Sequence, residues 1–167
     1  MSRGFVKEDD QEEVPLVPQR AYLPEGVTNF VTPAGKELLL AEKQALINER
    51  ECLSSSSDNE KRISINYINA KLQLLGNRIA EARVVNLKEQ PQNEIRFGAQ
   101  ITLRSESSGK TQTFQIVGVD EADISKGKIS FISPVSRSLI NKKTGDRVVL
   151  KQGREDIVYI IMNIAYS

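Results

Sequence analysis

Apolar positions change period once along this chain. From Pro33 to Cys52 the segment is rich in Leu, Ala, Glu, Lys and Gln, all good helix formers, and Leu39, Leu46 and Leu53 recur every seven residues on one face. Thr32 is a good N-cap, and Pro33 fits the first helical position, where its missing N–H costs nothing. Ser54 to Ser57 compete for their own backbone and stop this helix, and Ser57 or Asp58 caps the next. There Ile65, Ile68, Leu72, Leu75, Ile79 and Ala82 step by three and four, the seam of a coiled coil. Two such helices joined by a short polar turn predict an antiparallel hairpin over residues 32–85. Gly76 inside the second helix costs about 1 kcal/mol against Ala and implies a close approach or a slight bend.

After a linker expected at 86–96, with Pro91 and Asn93, the period falls to two. Ile101 and Leu103 alternate with polar residues, as do Phe114 and Ile116, and Ser107 to Lys110 turn between them. Further strands are expected at 128–132, 147–151 and 157–166, with a short helix opened by Ser133-Pro134 that turns Leu139 and Ile140 inward. The expected fold class is α+β: an N-terminal antiparallel helical hairpin and a C-terminal antiparallel, strongly twisted sheet domain (97–167) with one short helix.

Residues 1–31 are expected to form an arm. Glu8, Asp9, Asp10, Glu12 and Glu13 are an acidic block, and Pro15, Pro18 and Pro24 forbid a helix. The arm is either a solubilising tail or, through Val14, Leu16, Val17 and Tyr22, a segment laid on a partner or on the body of the protein. It holds six acids and three bases, whereas 85–167 hold twelve bases and nine acids.

Composition removes whole classes of chemistry. The 167 residues include no histidine, so Ser-His-Asp and Cys-His catalysis and His-ligated metals are excluded. Cys52 is the only cysteine, which excludes an intrachain disulfide and argues against a thiolate zinc site; its expected place is the hairpin face. The net charge of +1 argues against a nucleic-acid binder driven by a large basic field. No apolar run approaches a membrane span, and the polar, acidic N-terminus carries no signal or transit pattern, so a cytoplasmic location is expected. No nucleotide-binding glycine loop or nucleophile constellation is present, and neither a cofactor nor a small-molecule substrate is expected.

The C-terminal stretches Phe97-Gly98-Ala99, Phe114-Gln115-Ile116-Val117-Gly118, Asp120-Glu121-Ala122-Asp123, Ile129-Ser130, Ser133-Pro134, Arg137-Ser138-Leu139-Ile140 and Gly145-Asp146-Arg147-Val148 resemble, in order and spacing, the GreA/GreB transcription elongation factors of bacteria. Thr32-Pro33-Ala34-Gly35 and Ile79 to Val85 look like that family's entry to and exit from its hairpin. The resemblance implies an FKBP-like C-terminal domain without isomerase activity. It implies a partner, RNA polymerase, bound at the rim of its secondary channel, with the hairpin inside the channel and indirect contact with the DNA and RNA of the elongation complex. The protein would not itself be an enzyme.

In that family the hairpin tip carries an Asp followed three residues later by a Glu, which help hold a Mg²⁺ in the polymerase active centre. The chemistry needs two hard oxygen ligands on a rigid tip. Here the tip reads Ser57-Asp58-Asn59-Glu60-Lys61-Arg62: the spacing is two, and two cations adjoin the acids. Asp58 and Glu60 are therefore either a metal-positioning pair assisting the polymerase or an N-cap and a first-turn acid of the second helix. The hairpin is also shorter than a typical Gre hairpin, similar in this respect to the Rnk-type relatives that bind polymerase without cleaving RNA. A module that binds something other than polymerase is the remaining alternative.

Ser133, Pro134 and Arg137 are the candidate partner-binding residues implied by the resemblance; their local role is a helix cap, a first-turn proline and a surface base. Asp120, Glu121 and Asp123 are expected in a solvated loop, and Lys142, Lys143, Arg147 and Lys151 on a solvated face.

Overall fold

A computed structural model describes residues 15–53 and 58–167. The acidic block and Val14, like the serines 54–57, lie outside the described residues.

The hairpin forms as the apolar spacing predicts. Helix α1 spans Pro33–Cys52 and α2 spans Asp58–Glu81. Thr32 caps α1, its hydroxyl accepting from the Gly35 amide, with Pro33 in the first turn. Leu39 and Leu75 are buried between the helices, with Leu46 and Ile79 packed against them. Cys52 is not in that face but exposed at the end of α1. Nothing lies within 4 Å of where a Cβ on Gly76 would stand, so no close approach explains that glycine.

The base of the hairpin holds an element that the periodicity does not announce. β1 (Asn29–Val31) pairs in parallel with β2 (Ala82–Val84), tying the end of the arm to the exit of α2. Three residues are too few to show a period of two. Val31 joins Leu39 and Leu75 in a small core here.

The C-terminal sheet has five strands: β3 (Gln100–Ser105), β4 (Thr111–Val117), β5 (Lys128–Ser130), β6 (Arg147–Gln152) and β7 (Glu155–Ala165), in the order β5-β4-β3-β7-β6. The three pairs β4-β3, β3-β7 and β7-β6 are antiparallel as expected. β5 instead runs parallel to β4, because the chain returns across the end of the sheet through residues 118–127 before pairing again. One face is filled by Ile101, Leu103, Ile116, Leu150, Tyr159 and Ile161, closed by Leu139 of the short helix α3 (Pro134–Leu139). The segment 86–96 contributes to this packing: Leu87 is buried, and Ile95 lies within the C-terminal core while bonding through its backbone to Asn141 and Lys142. No helix among the described residues is long and apolar enough to cross a membrane.

Candidate functional site

Three regions hold the residues of interest: the start of α2, the edge of α3, and the crossover loop 118–127 where hairpin, arm and sheet domain meet.

At the start of α2, Asp58 and Glu60 are both exposed and both in the first helical turn. Two acids at a helix N-terminus oppose the positive end of the helix dipole, a sufficient local reason for both. At roughly 100° per residue, side chains at i and i+2 point about 200° apart. The two carboxylates therefore diverge, and Lys61 and Arg62 follow directly. Among the described residues no group of three or more His, Cys, Asp or Glu converges as a metal site.

At α3, Ser133 is the N-cap: its Oγ accepts from the Ser136 amide at 3.2 Å and donates to Ser136 Oγ at 3.1 Å, and Ser136 Oγ in turn donates to the Ser130 carbonyl at 2.6 Å. Ser136 and Leu139 are buried, which orients the helix and turns Pro134, Arg137 and Ser138 to solvent. Pro134 and Arg137 are thus exposed beside the half-buried cap Ser133. Lys142, Lys143, Arg147 and Lys151 are exposed as well, with Arg147 paired to Glu106.

The crossover loop departs from the expectation of a solvated acidic turn. Asp123 fits it: its Oδ1 accepts from the Ser125 amide and hydroxyl, capping a single 3-10 turn (Ile124–Lys126), and the Ser125 side-chain bond draws its pKa below the usual carboxylate value. Asp120 and Glu121 do not fit it. Glu121 is buried; it accepts from Thr32 Oγ1 at 2.6 Å and pairs with Lys128 at 3.4 Å. The Asp120 side chain is only 7% exposed and lies between two guanidinium groups. Arg20 of the arm approaches its Oδ1 at 3.0 and 3.1 Å, and Arg78 Nε of α2 stands 3.2 Å from its Oδ2, an ion pair without hydrogen-bond alignment. Isolated carboxylates are not buried without such partners, since desolvation costs several kcal/mol per ion (roughly). Thr32 lies 89 residues from Glu121 and Arg20 lies 100 from Asp120, so no local pattern could have shown these two contacts.

Two glycines make the close contact possible. A Cβ on Gly35 would stand 2.7 Å from Glu121 Oε2, and one on Gly118 would stand 2.6 Å from the Phe30 carbonyl oxygen. Phe30, Phe97 and Phe131 cluster beside them with ring centroids 5.6 to 5.9 Å apart, joining the hairpin base to the sheet domain with apolar contact.

Arg20 also grips Glu42 of α1 through two hydrogen bonds, of 2.8 and 3.0 Å. The Glu42 bond, stronger than the burial that opposes it, raises the Arg20 pKa above its ordinary value. Arg78 donates to the Ala21 carbonyl at 2.6 Å and so holds the arm backbone next to Arg20. The arm does lie on the body of the protein, chiefly through Arg20: Val17 is half-buried, but Leu16 is 97% exposed and Tyr22 76%.

Residues 90–166 match the family model described as transcription elongation factor, GreA/GreB, C-term. The transcription elongation factor GreA of Thermodesulfovibrio yellowstonii is 31% identical over 152 residues, covering 82% of this chain and 96% of that protein. The chain belongs to the GreA/GreB family. GreA of Maricaulis maris is 40% identical over 101 residues, covering 60% of this chain. That match spans 64% of the Maricaulis protein, under two thirds of its length. A solved GreA/GreB factor from Nitrosomonas europaea aligns over 82% of this chain and 98% of its own at 20% identity, with a TM-score of 0.43. Within this Gre-family chain, the exposed α3 edge and the crossover loop both fall inside the span matched by the family model.

Proposed function

We propose that this chain binds bacterial RNA polymerase, docking through the α3 edge of its C-terminal domain and placing its hairpin in the secondary channel, and that it regulates transcription elongation from there. Family membership carries this reading, and the architecture supports it. Pro134 and Arg137 form an exposed edge capped by the half-buried Ser133, and the chain also carries a hairpin with a 20-residue first helix, about 30 Å long. In this reading the protein works in the cytoplasm and is not an enzyme; any RNA cleavage would be the polymerase's own chemistry. The acidic arm, the hairpin (32–85) and the C-terminal domain (97–167) would divide the work into tethering, reach and docking.

One observation favours a second form of the same reading, in which the hairpin occupies the channel without stimulating cleavage. Asp58 and Glu60 diverge at i and i+2 beside two cations, which is a poor pair of ligands for one hard ion. Transcript cleavage on a stalled, backtracked elongation complex separates the two. The protein is assayed alone, as Asp58→Ala/Glu60→Ala, and in competition with an authentic GreA. Cleavage above background that the double variant loses supports the metal-positioning role. Loss of GreA-stimulated cleavage on adding this chain, with none of its own, supports occupancy. Failure to bind polymerase at all overturns both.

A further inference from the structure

The junction between hairpin and sheet domain has an apolar hinge and a charged brace at Asp120, reached by Arg78 from the last turn of α2 and by Arg20 from the arm. The Phe30–Phe97–Phe131 cluster and the Thr32–Glu121 hydrogen bond hold the very base of the hairpin, at the N-cap of α1. Contacts confined to one end of a rod leave it free to tilt. A second hold lies ten residues further along α1, about 15 Å by the rise of an α-helix, where Glu42 takes both hydrogen bonds from Arg20. The same guanidinium is bonded to Asp120 of the crossover loop. No direct ion pair joins Glu42 to the sheet domain among the described residues, so Arg20 is the link between the two.

Charge fixes the arm at Arg20. An open cavity of 400 Å³ lies between the arm, both helices and the crossover loop, and another of 720 Å³ lies between the arm and α2. Of the arm's apolar side chains, Leu16 and Tyr22 point to solvent while Val17 and Leu23 are half-buried, and the arm is hydrogen-bonded to the helices through the Arg20 side chain and the Ala21 carbonyl that Arg78 holds.

We propose that the arm is a strap and Arg20 its positioning residue: by joining Glu42 to Asp120 it fixes the angle between the helical hairpin and the sheet domain, and so where the hairpin tip lies. A rotation of 10° about the N-cap would carry the far end of a 30 Å helix by about 5 Å. Displacements of about 1 Å already matter in a catalytic centre, so a swing of this size decides whether a tip inserted in a channel meets its target. The functional consequence rests on the proposed polymerase reading; the mechanical claim does not.

The chain supplies its own probe position, because Cys52, its only cysteine, is exposed at the end of α1. A second cysteine introduced at the exposed Lys142 of the sheet domain (Lys142→Cys) allows two nitroxide labels and a distance distribution by double electron–electron resonance. The otherwise unaltered protein should give one narrow distribution. Arg20→Ala and, separately, Glu42→Arg should broaden it and move its mean by several ångströms, while Lys43→Ala, a neighbouring exposed cation outside the strap, leaves it unchanged. Circular dichroism melts of each variant show that both domains remain folded, because the buried Asp120 keeps Arg78 when Arg20 is removed, and Glu42 is exposed. Arg20→Ala and Glu42→Arg distributions that superimpose on the original would overturn the strap. A polymerase assay on Arg20→Ala then isolates the consequence: binding through the sheet domain persists, and the hairpin-dependent effect on cleavage falls. If the distances move and the polymerase effect does not, the strap stands and its assigned purpose fails.

Discussion

Thr32 Oγ1 donates a 2.6 Å hydrogen bond to Glu121 Oε2 while accepting one of 2.9 Å from the Gly35 amide. One hydroxyl therefore caps α1 and satisfies a buried carboxylate of the sheet domain. Thr32→Ala removes both bonds. Loss of an N-cap costs about 1 kcal/mol, and a hydrogen bond to a charged group is worth about 1.5–3 kcal/mol. The expected destabilisation is about 2–4 kcal/mol in urea unfolding, against under about 1 kcal/mol for Thr32→Ser, which keeps the hydroxyl. Equal losses for the two variants would show that the hydroxyl is not what the site requires.

Gly35 and Gly76 both sit within helices, yet they should respond to alanine with opposite signs. At Gly35 the new methyl would meet Glu121 Oε2 at 2.7 Å and force the buried carboxylate off Thr32. At Gly76 it would meet nothing within 4 Å and would remove the helical penalty of glycine. Gly76→Ala should stabilise by up to about 1 kcal/mol, and Gly35→Ala should destabilise in spite of the same helical gain. Thermal melts of the two variants side by side test this, and a Gly35→Ala protein as stable as the original would refute the close contact.

The contrast between these glycines marks where sequence patterns stop informing. The seam from Ile65 to Ile79, the Thr32-Pro33 start and the Ser133-Pro134 start depend on neighbours within a few residues, and the structure places helices at each, whereas the last seam position, Ala82, opens β2. The period-two runs at Ile101–Leu103 and Phe114–Ile116 were legible for the same reason. β1 and β2 were not, being three residues each and paired across 53 positions of chain. Nor was the parallel pairing of β5, which depends on where the crossover returns. Asp120 and Glu121 look like a solvated acidic turn until Arg20, Thr32 and Arg78 arrive from distant segments. The α3 edge was put forward by resemblance alone, and the structure accounts for the exposure of Pro134 and Arg137 through the inward Ser136 and Leu139.

Tyr166 provides a pH-dependent test of how 94–96 is tied to the last strand. Its hydroxyl donates to the Glu94 carbonyl at 2.5 Å and accepts from the Arg96 amide at 2.8 Å, and burial raises its pKa above 10.0, partly offset by the Arg96 amide. A folded-state pKa raised above the unfolded value means that the neutral phenol is favoured on folding. The contribution is complete below the unfolded pKa near 10 and is lost as pH rises through the folded one. Tyr166→Phe should cost about 1–2 kcal/mol at neutral pH, and the difference from the original should shrink above pH 10 or so. A constant difference up to that range would argue against the phenol as its source.

Arg137 should separate binding from stability. It is exposed in the last turn of α3 and makes no side-chain ion pair among the described residues. Arg137→Glu should therefore change unfolding free energy by no more than about 0.5 kcal/mol. If α3 is the docking edge proposed above, reversing this charge should weaken polymerase binding at least tenfold, about 1.4 kcal/mol, measured by titration of labelled protein with core enzyme. Unchanged affinity would move the docking surface away from α3.

The tip makes the sharpest prediction, because its geometry can be altered without touching the fold. Asp58 and Glu60 diverge on the first turn of α2, whereas residues three apart lie on one face. Glu60→Gln with Lys61→Glu moves the second carboxylate from i+2 to i+3 and removes an adjacent cation. Both positions are exposed or partly exposed and at a helix N-terminus, where acids are favoured, so stability should hold or rise by a few tenths of a kcal/mol (roughly). If carboxylate spacing limits metal positioning, this variant should stimulate cleavage of backtracked RNA above the level of the original chain, and Asp58→Asn added to it should abolish the gain. A respaced tip that binds polymerase but stimulates no more than the original would shift the limit from carboxylate spacing to the reach and angle of the hairpin, the quantity that Arg20 is proposed to set.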